Sequence, residues 1–160
     1  MVDFVILLVE DEADDILLIQ RALSTANLVN PLRIVRDGEE AIAYLSGLGD
    51  FADRARYPLP SLLLLDLKLP RKSGLEVLEW VRQSPVHKLL PVVILTSSAH
   101  SEDMRRAYAL GVNSYLIKPV GFDGLLEMVK GIGMYWMILN KGPESKQAKT
   151  TSPRAVPPNP

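Results

Sequence analysis

A chain of 160 residues suits one compact domain with room for a tail, and 48% apolar with 23% charged residues is the balance of a globular protein rather than a fibre or a disordered chain. A formal net charge of −1, with both signs spread along the chain, supplies no field that would recruit nucleic acid, so partners must be recognised by a local site. The lack of cysteine excludes disulfides, thiol nucleophiles and thiolate zinc sites, and no uncharged apolar run reaches the roughly 18 residues of a membrane helix.

The opening MVDFVILLVEDE has no basic region before its apolar run and turns acidic after it, which argues against a signal peptide and for a cytoplasmic protein. Five runs rich in Val, Ile and Leu follow one another: FVILLV (4–9), LRIVR (32–36), SLLLL (61–65), VVILTS (92–97) and SYLI (114–117). Helical spacing fills the intervals. DDILLIQRALSTA puts Ile16, Ile19, Leu23 and Ala26 on one face, and DGEEAIAYLSG, GLEVLEWVRQS and SEDMRRAYALG behave alike, with Gly47 and Gly111 placed as helix-ending glycines. The segment LGDFADRARYPLP (48–60) carries two prolines and several charges and is expected to cross the surface. After the last helical stretch, KGPESKQAKTTSPRAVPPNP holds five prolines and few apolar groups, the composition of a flexible tail. The expected division is a domain over residues 1–141 and a Pro-rich tail over 142–160.

Strands that alternate with helices imply βαβ units and a parallel sheet, whose central strands are covered on both faces and so read as unbroken apolar runs. In such sheets a site forms beyond the carboxyl ends of the strands. At those ends stand Glu10 and Asp11, then Asp66, then Thr96 and Ser97, then Lys118. Taken singly, Glu10, Asp11 and Glu12 suit the positive start of helix one, and Thr96 suits a cap of helix four. Taken together they are a site: clustered carboxylates repel and call for a cation, hard oxygen ligands fit Mg²⁺, and a carboxylate beside a metal, a hydroxyl and an ammonium is placed to accept a phosphoryl group.

These residues and their motifs resemble the receiver domains of two-component response regulators over about residues 4–139. The resemblance implies a doubly wound (βα)5, flavodoxin-like α/β fold in three layers, with a five-stranded parallel sheet of order 2-1-3-4-5. Residues of LLVEDE would hold Mg²⁺, Asp11 directly and Glu10 as an outer or water-mediated ligand. Asp66 in LLLLDLKLP would be the phosphoacceptor and a metal ligand, with the main-chain carbonyl of Lys68 completing the shell. Thr96 in VVILTSSA and Tyr115 in NSYLIKP would be the switch residues, and Lys118 the phosphate-binding lysine joined to Pro119 by a cis peptide bond. The segments DLKLPRKSG and GMYWMILNK are similar to the small stand-alone regulators paired with bacterial phytochrome histidine kinases.

A histidine kinase is thus the expected partner, with no nucleic acid and no membrane involved. The protein would catalyse only its own phosphorylation and dephosphorylation. The apolar end of helix five points to a homodimer, with Tyr135, Trp136 and Leu139 at the interface. A dehalogenase-type phosphatase would need an acid at Lys68, and a dinucleotide-binding domain a Gly-rich turn where VEDEADD stands. The remaining alternative is a binding module that keeps the fold without phosphorylation. His87 and His100, without acid partners at ligand spacing, are read as surface residues.

Overall fold

A computed structural model describes residues 4–28 and 32–139. Its elements, in order, are β1 (Ile6–Val9), α1 (Ala13–Thr25), β2 (Leu32–Val35), α2 (Gly38–Ser46), β3 (Leu62–Leu65), α3 (Gly74–Gln83), β4 (Val92–Thr96), α4 (Ser101–Ala109), β5 (Ser114–Ile117) and α5 (Phe122–Ile132). A 3₁₀ turn, Gly49–Phe51, follows α2, and a π-helical stretch, Gly133–Leu139, prolongs α5. All strand pairs are parallel, in the order β2-β1-β3-β4-β5. This is the expected flavodoxin-like order. The proposed tail over 142–160 and the side chain of Leu139 lie outside the described residues.

The leucine run behaves as a central strand must. Every residue of β1, β3 and β4 is buried, and the alternation of a strand sends neighbours to opposite faces. Leu7, Val9, Leu63, Leu65, Val92 and Ile94 meet α2, α3 and α4 through Tyr44, Leu45, Val77, Leu78 and Ala107. Ile6, Leu8, Leu62, Leu64, Val93 and Leu95 meet α1 and α5 through Ile19, Leu23, Leu125 and Val129. Two cores therefore clamp one sheet, which fixes its register and the position of its ends. The edge strands are less covered, as their sequences suggest.

Helix boundaries follow local chemistry. Ser73 and Glu76 form a reciprocal capping box at the start of α3, and the Asp37 carboxylate accepts from the Glu40 amide at the start of α2. Gly47 and Gly111 end α2 and α4 with φ of 68° and 90°, as their positions predicted.

Three expectations are corrected. Among the described residues no peptide bond is cis; Lys118–Pro119 keeps the trans form that is intrinsically favoured even before proline, and the chain reverses into α5 at Gly121, whose φ is 96°. Segment 48–60 is more than a surface crossing. Phe51 and Tyr57 pack with Tyr44 at ring separations of 5.1–6.0 Å, the Tyr44 hydroxyl donates to the Pro58 carbonyl, and the Arg54 guanidinium caps α2 by donating to the carbonyls of Tyr44 and Leu45. Finally, only His100 is exposed. His87 is half-buried, stacks on Trp80 at 5.7 Å and has the Leu45 backbone as a hydrogen-bond partner.

Candidate functional site at the carboxyl ends of the strands

Parallel register brings the ends of β1, β3, β4 and β5 to one edge, and ladder bonds continue one step past them. The Asp66 amide donates to the Val9 carbonyl at 3.1 Å and the Lys118 amide to the Thr96 carbonyl at 2.7 Å. Asp66 and Lys118, like Glu10 through the Val35 carbonyl, are thus fixed at the backbone by a neighbouring strand. The chain after Asp66 is packed just as tightly: a Cβ on Gly74 would lie 2.0 Å from the Asp66 carbonyl oxygen, so glycine is the residue that lets α3 start there.

The side chains converge. Glu10, Asp66 and Thr96 are 1%, 6% and 0% exposed, and carboxylate oxygens of Glu10, Asp11 and Asp66 lie within 4.8 Å of one another. The Lys118 ammonium donates to Glu10 Oε2 at 2.6 Å, to Asp15 Oδ2 at 2.8 Å and to Asp66 Oδ2 at 3.1 Å. Asp66 Oδ1 accepts from the Leu67 amide at 2.7 Å, and Glu10 Oε1 from the Glu12 amide at 3.1 Å. Helix capping does not account for this arrangement. Glu12 and His100 are the N-cap residues of α1 and α4 and neither makes a side-chain cap bond, so Thr96 is not the cap of α4.

Electrostatics mark the same place. Burial pushes the Glu10 carboxyl up to about 7, helped by the charge of Asp66 and opposed by its bond to Lys118. Burial would lower the Lys118 ammonium, yet the bonds it donates to Asp15 and Glu10, with the charge of Asp66, hold it above its ordinary range. Glu10, Asp66 and Asp15 share one ammonium, and Asp11 lies beside the first two. The surplus negative charge and the exclusively oxygen donors fit a hard divalent cation with open positions. Lys68, whose carbonyl is the expected fourth ligand, follows in the β3–α3 loop with an exposed side chain.

The switch candidates meet at a residue that the sequence reading passed over. Ser98 is buried; its amide donates to Thr96 Oγ1 at 3.3 Å, its carbonyl accepts the Tyr115 hydroxyl at 2.9 Å, and its hydroxyl donates to Asp103 at 2.7 Å. Tyr115 is itself buried. In sequence Ser98 is one hydroxyl among TSSAHS, with nothing to single it out. Asp15 was also missed, hidden in an acidic run that suits any helix start.

At the far end of α5, Met134 and Tyr135 are exposed, whereas Trp136 packs its edge on Tyr135 at 5.1 Å and reaches toward the α1–α5 core. A surface hollow of about 330 Å³ lies beside them, lined by Leu116, Met128, Ile132 and both rings. Among the described residues no helix is long and apolar enough to cross a membrane.

The chain is similar to known proteins along most of its length. It is 44% identical over 133 residues to the response regulator Rcp1 of Synechocystis sp. (strain ATCC 27184 / PCC 6803 / Kazusa), covering 83% of this chain and 88% of that protein. The structure matches the phosphorylated cyanobacterial phytochrome response regulator RcpA with a TM-score of 0.83 at 40% identity, over 89% of this chain and 100% of the other. It matches the Mn²⁺-bound form of Rcp1 with a TM-score of 0.79 at 42% identity, over 88% and 99%. Residues 6–130, a span that holds every strand and the carboxyl-end residues from Glu10 to Lys118, match the response regulator receiver domain family, and the chain belongs to that family.

Proposed function

We propose that this protein is a stand-alone two-component response regulator that accepts a phosphoryl group on Asp66 from a phosphohistidine of a histidine kinase of the bacterial phytochrome class. One observation carries the reading: a nearly buried carboxylate at the end of a central strand lies between an acidic cluster and an ammonium that already touches it at 3.1 Å. The similarity to regulators described as phosphorylated and as Mn²⁺-bound supports it.

Asp11 and Asp66, with Glu10 and the Lys68 carbonyl, would hold Mg²⁺, which when bound supplies positive charge for the phosphoryl oxygens. The Leu67 amide steadies Asp66 through one oxygen, leaving the oxygen beside Lys118 to bond to phosphorus. As that O–P bond forms, the P–N bond breaks and its electron pair stays on the imidazole nitrogen of the donor. Lys118 meets the charge on the transferred group. Hydrolysis of the acyl phosphate later returns Asp66 to a free carboxylate, so the protein catalyses nothing beyond its own phosphorylation and dephosphorylation.

The added charge of about −1.5 to −2 engages the Thr96 hydroxyl. Thr96 shares the Ser98 backbone with Tyr115, so a shift at Thr96 passes to the ring and to α4, β5 and α5. A swing from 1:99 to 99:1 requires about 5.5 kcal/mol of preference for one state. The protein acts in the cytoplasm by protein contact and pairs with a second copy through the end of α5, where Tyr135 is 53% exposed; Trp136 and Leu139 complete the proposed surface.

Intact mass after incubation with acetyl phosphate tests the chemistry. The protein gains one phosphoryl group only when Mg²⁺ and Asp66 are both present, and Asp66→Asn gains none. A folded protein that gains no mass from acetyl phosphate or from phosphorylated kinases is a binding module instead. Light scattering at micromolar concentration tests the pairing: the expected mass is twice the 17.7 kDa of one chain, and a monomeric mass excludes the interface.

A further inference from the structure

The Lys118 ammonium has three hydrogens and uses each on a different carboxylate, Glu10, Asp15 and Asp66. Two of those partners have other duties under the function proposed above, on which this inference rests. Glu10 belongs to the acidic cluster that fits a cation, and Asp66 is both cluster member and phosphoacceptor. Asp15 is outside that cluster. Its side chain, 36% exposed, approaches from the first turn of α1, while Glu10 and Asp66 are almost wholly enclosed. A cleft of about 50 Å³ between α1 and the β5–α5 loop, lined by Asp15, Ile19, Pro119 and Gly121, runs beside the lysine and gives it room to move.

We propose that Asp15 is a positioning residue that holds the Lys118 ammonium over Asp66 when Glu10 and Asp66 turn to the cation and the phosphoryl group. Without it, the ammonium keeps no partner that is free of the chemistry. It then stays on Glu10 and Asp66, where it competes with the cation, or leaves toward the cleft. A purely structural acid in the first turn of a helix would act differently: it would favour the helix dipole and move stability alone. Asp14, exposed in the same turn, already supplies that charge.

The test is a double-mutant cycle on the full chain with wild type, Asp15→Asn, Asp15→Glu, Lys118→Gln and the Asp15→Asn/Lys118→Gln pair. Two quantities are read: Mg²⁺ affinity of the unphosphorylated protein by calorimetry, and the rate of mass gain from acetyl phosphate with Mg²⁺. Asp15→Asn weakens Mg²⁺ binding and slows phosphorylation by about tenfold each, the scale of one lost charged hydrogen bond. Asp15→Glu recovers most of both. On the Lys118→Gln background Asp15→Asn changes either quantity less than about twofold, because the group it positions is gone. Unchanged values in Asp15→Asn, or equal losses on both backgrounds, overturn the proposal. If wild type gains no phosphoryl group from acetyl phosphate or from phosphorylated kinases, the proposed function fails instead, and the Mg²⁺ arm of the cycle still reads the role of Asp15. Because Asp15 is partly exposed and Asn has its shape, the variant is expected to fold, and Asp15→Glu supplies the second reading.

Discussion

Two cations sit at opposite ends of the sheet, and they are satisfied in different ways. At the amino ends of β4 and β5 the Arg82 guanidinium donates to the carbonyls of Gly111, Lys88 and Leu90 and to Asn113 Oδ1, at 2.7–3.1 Å. Asn113 Oδ1 also accepts from the Val92 amide, so the node ties the α3–β4 and α4–β5 loops to the start of a strand. Every partner is neutral. At the carboxyl ends Lys118 faces three carboxylates, with Asp11 beside them. Burial among neutral groups pulls Arg82 below its ordinary range, whereas carboxylates overcome burial and raise Lys118. The difference separates a joint from a site: a joint matches its cation with dipoles, while a site keeps an excess of like charge that only a further cation relieves.

That contrast predicts how each end responds to metal. Lys118→Met leaves Glu10 and Asp66 enclosed together without a counter-charge and costs about 3 kcal/mol in the presence of a chelator. At one fixed Mg²⁺ concentration this variant regains more stability than wild type does, because no ammonium competes for Glu10 and Asp66; a hundredfold excess over the dissociation constant is worth about 2.7 kcal/mol. Arg82→Met removes four hydrogen bonds, of which that to the Leu90 carbonyl is partly buried, and costs about 2 kcal/mol whether or not Mg²⁺ is present, with the phosphorylation rate unchanged. Urea titrations with and without Mg²⁺ measure all four values. An equal Mg²⁺ response in the two variants would remove the distinction between the two ends.

Much of this was legible in the sequence, and what was not has physical reasons. The strands β1, β3 and β4 announce themselves because coverage on both faces forbids polar residues, so Asp66 stands out at the end of SLLLL. Glu10, Asp11, Thr96 and Lys118 were found as a set because the topology, once inferred, carries their strand ends to one edge. Asp15 was not found, since its role depends on where α1 meets β5 in space. Ser98 acts mainly through its amide and carbonyl, which every residue has, so its side chain gave no warning. In segment 48–60 prolines and charges obscured Phe51 and Tyr57, whose partner Tyr44 lies back in α2. The peptide before Pro119 is trans although the family resemblance implied cis, a choice that local sequence does not dictate.

The smallest expected effect probes the neutral end alone. His87 lies in the connection whose Lys88 and Leu90 carbonyls Arg82 holds, and it stacks on Trp80. Burial holds its imidazole below the usual 6.5, and the positive charge of Arg54 acts in the same direction. A depressed value means that the folded protein prefers the neutral ring, so this contribution to stability is complete above pH 6.5 and is lost as pH falls toward the lower folded value. One proton bounds the slope at about 1.4 kcal/mol per pH unit, and partial exposure makes the actual loss much smaller. His87→Phe keeps the stack without the titration. Carboxylates titrate in both proteins, so the difference between their urea stabilities at pH 7 and pH 5 isolates His87: the variant should lose less on acidification, and equal losses would mean that the ring is as well solvated in the fold as outside it. The same pair of proteins should bind Mg²⁺ alike at each pH, because His87 belongs to the joint and the cation site lies at the other end of the strands.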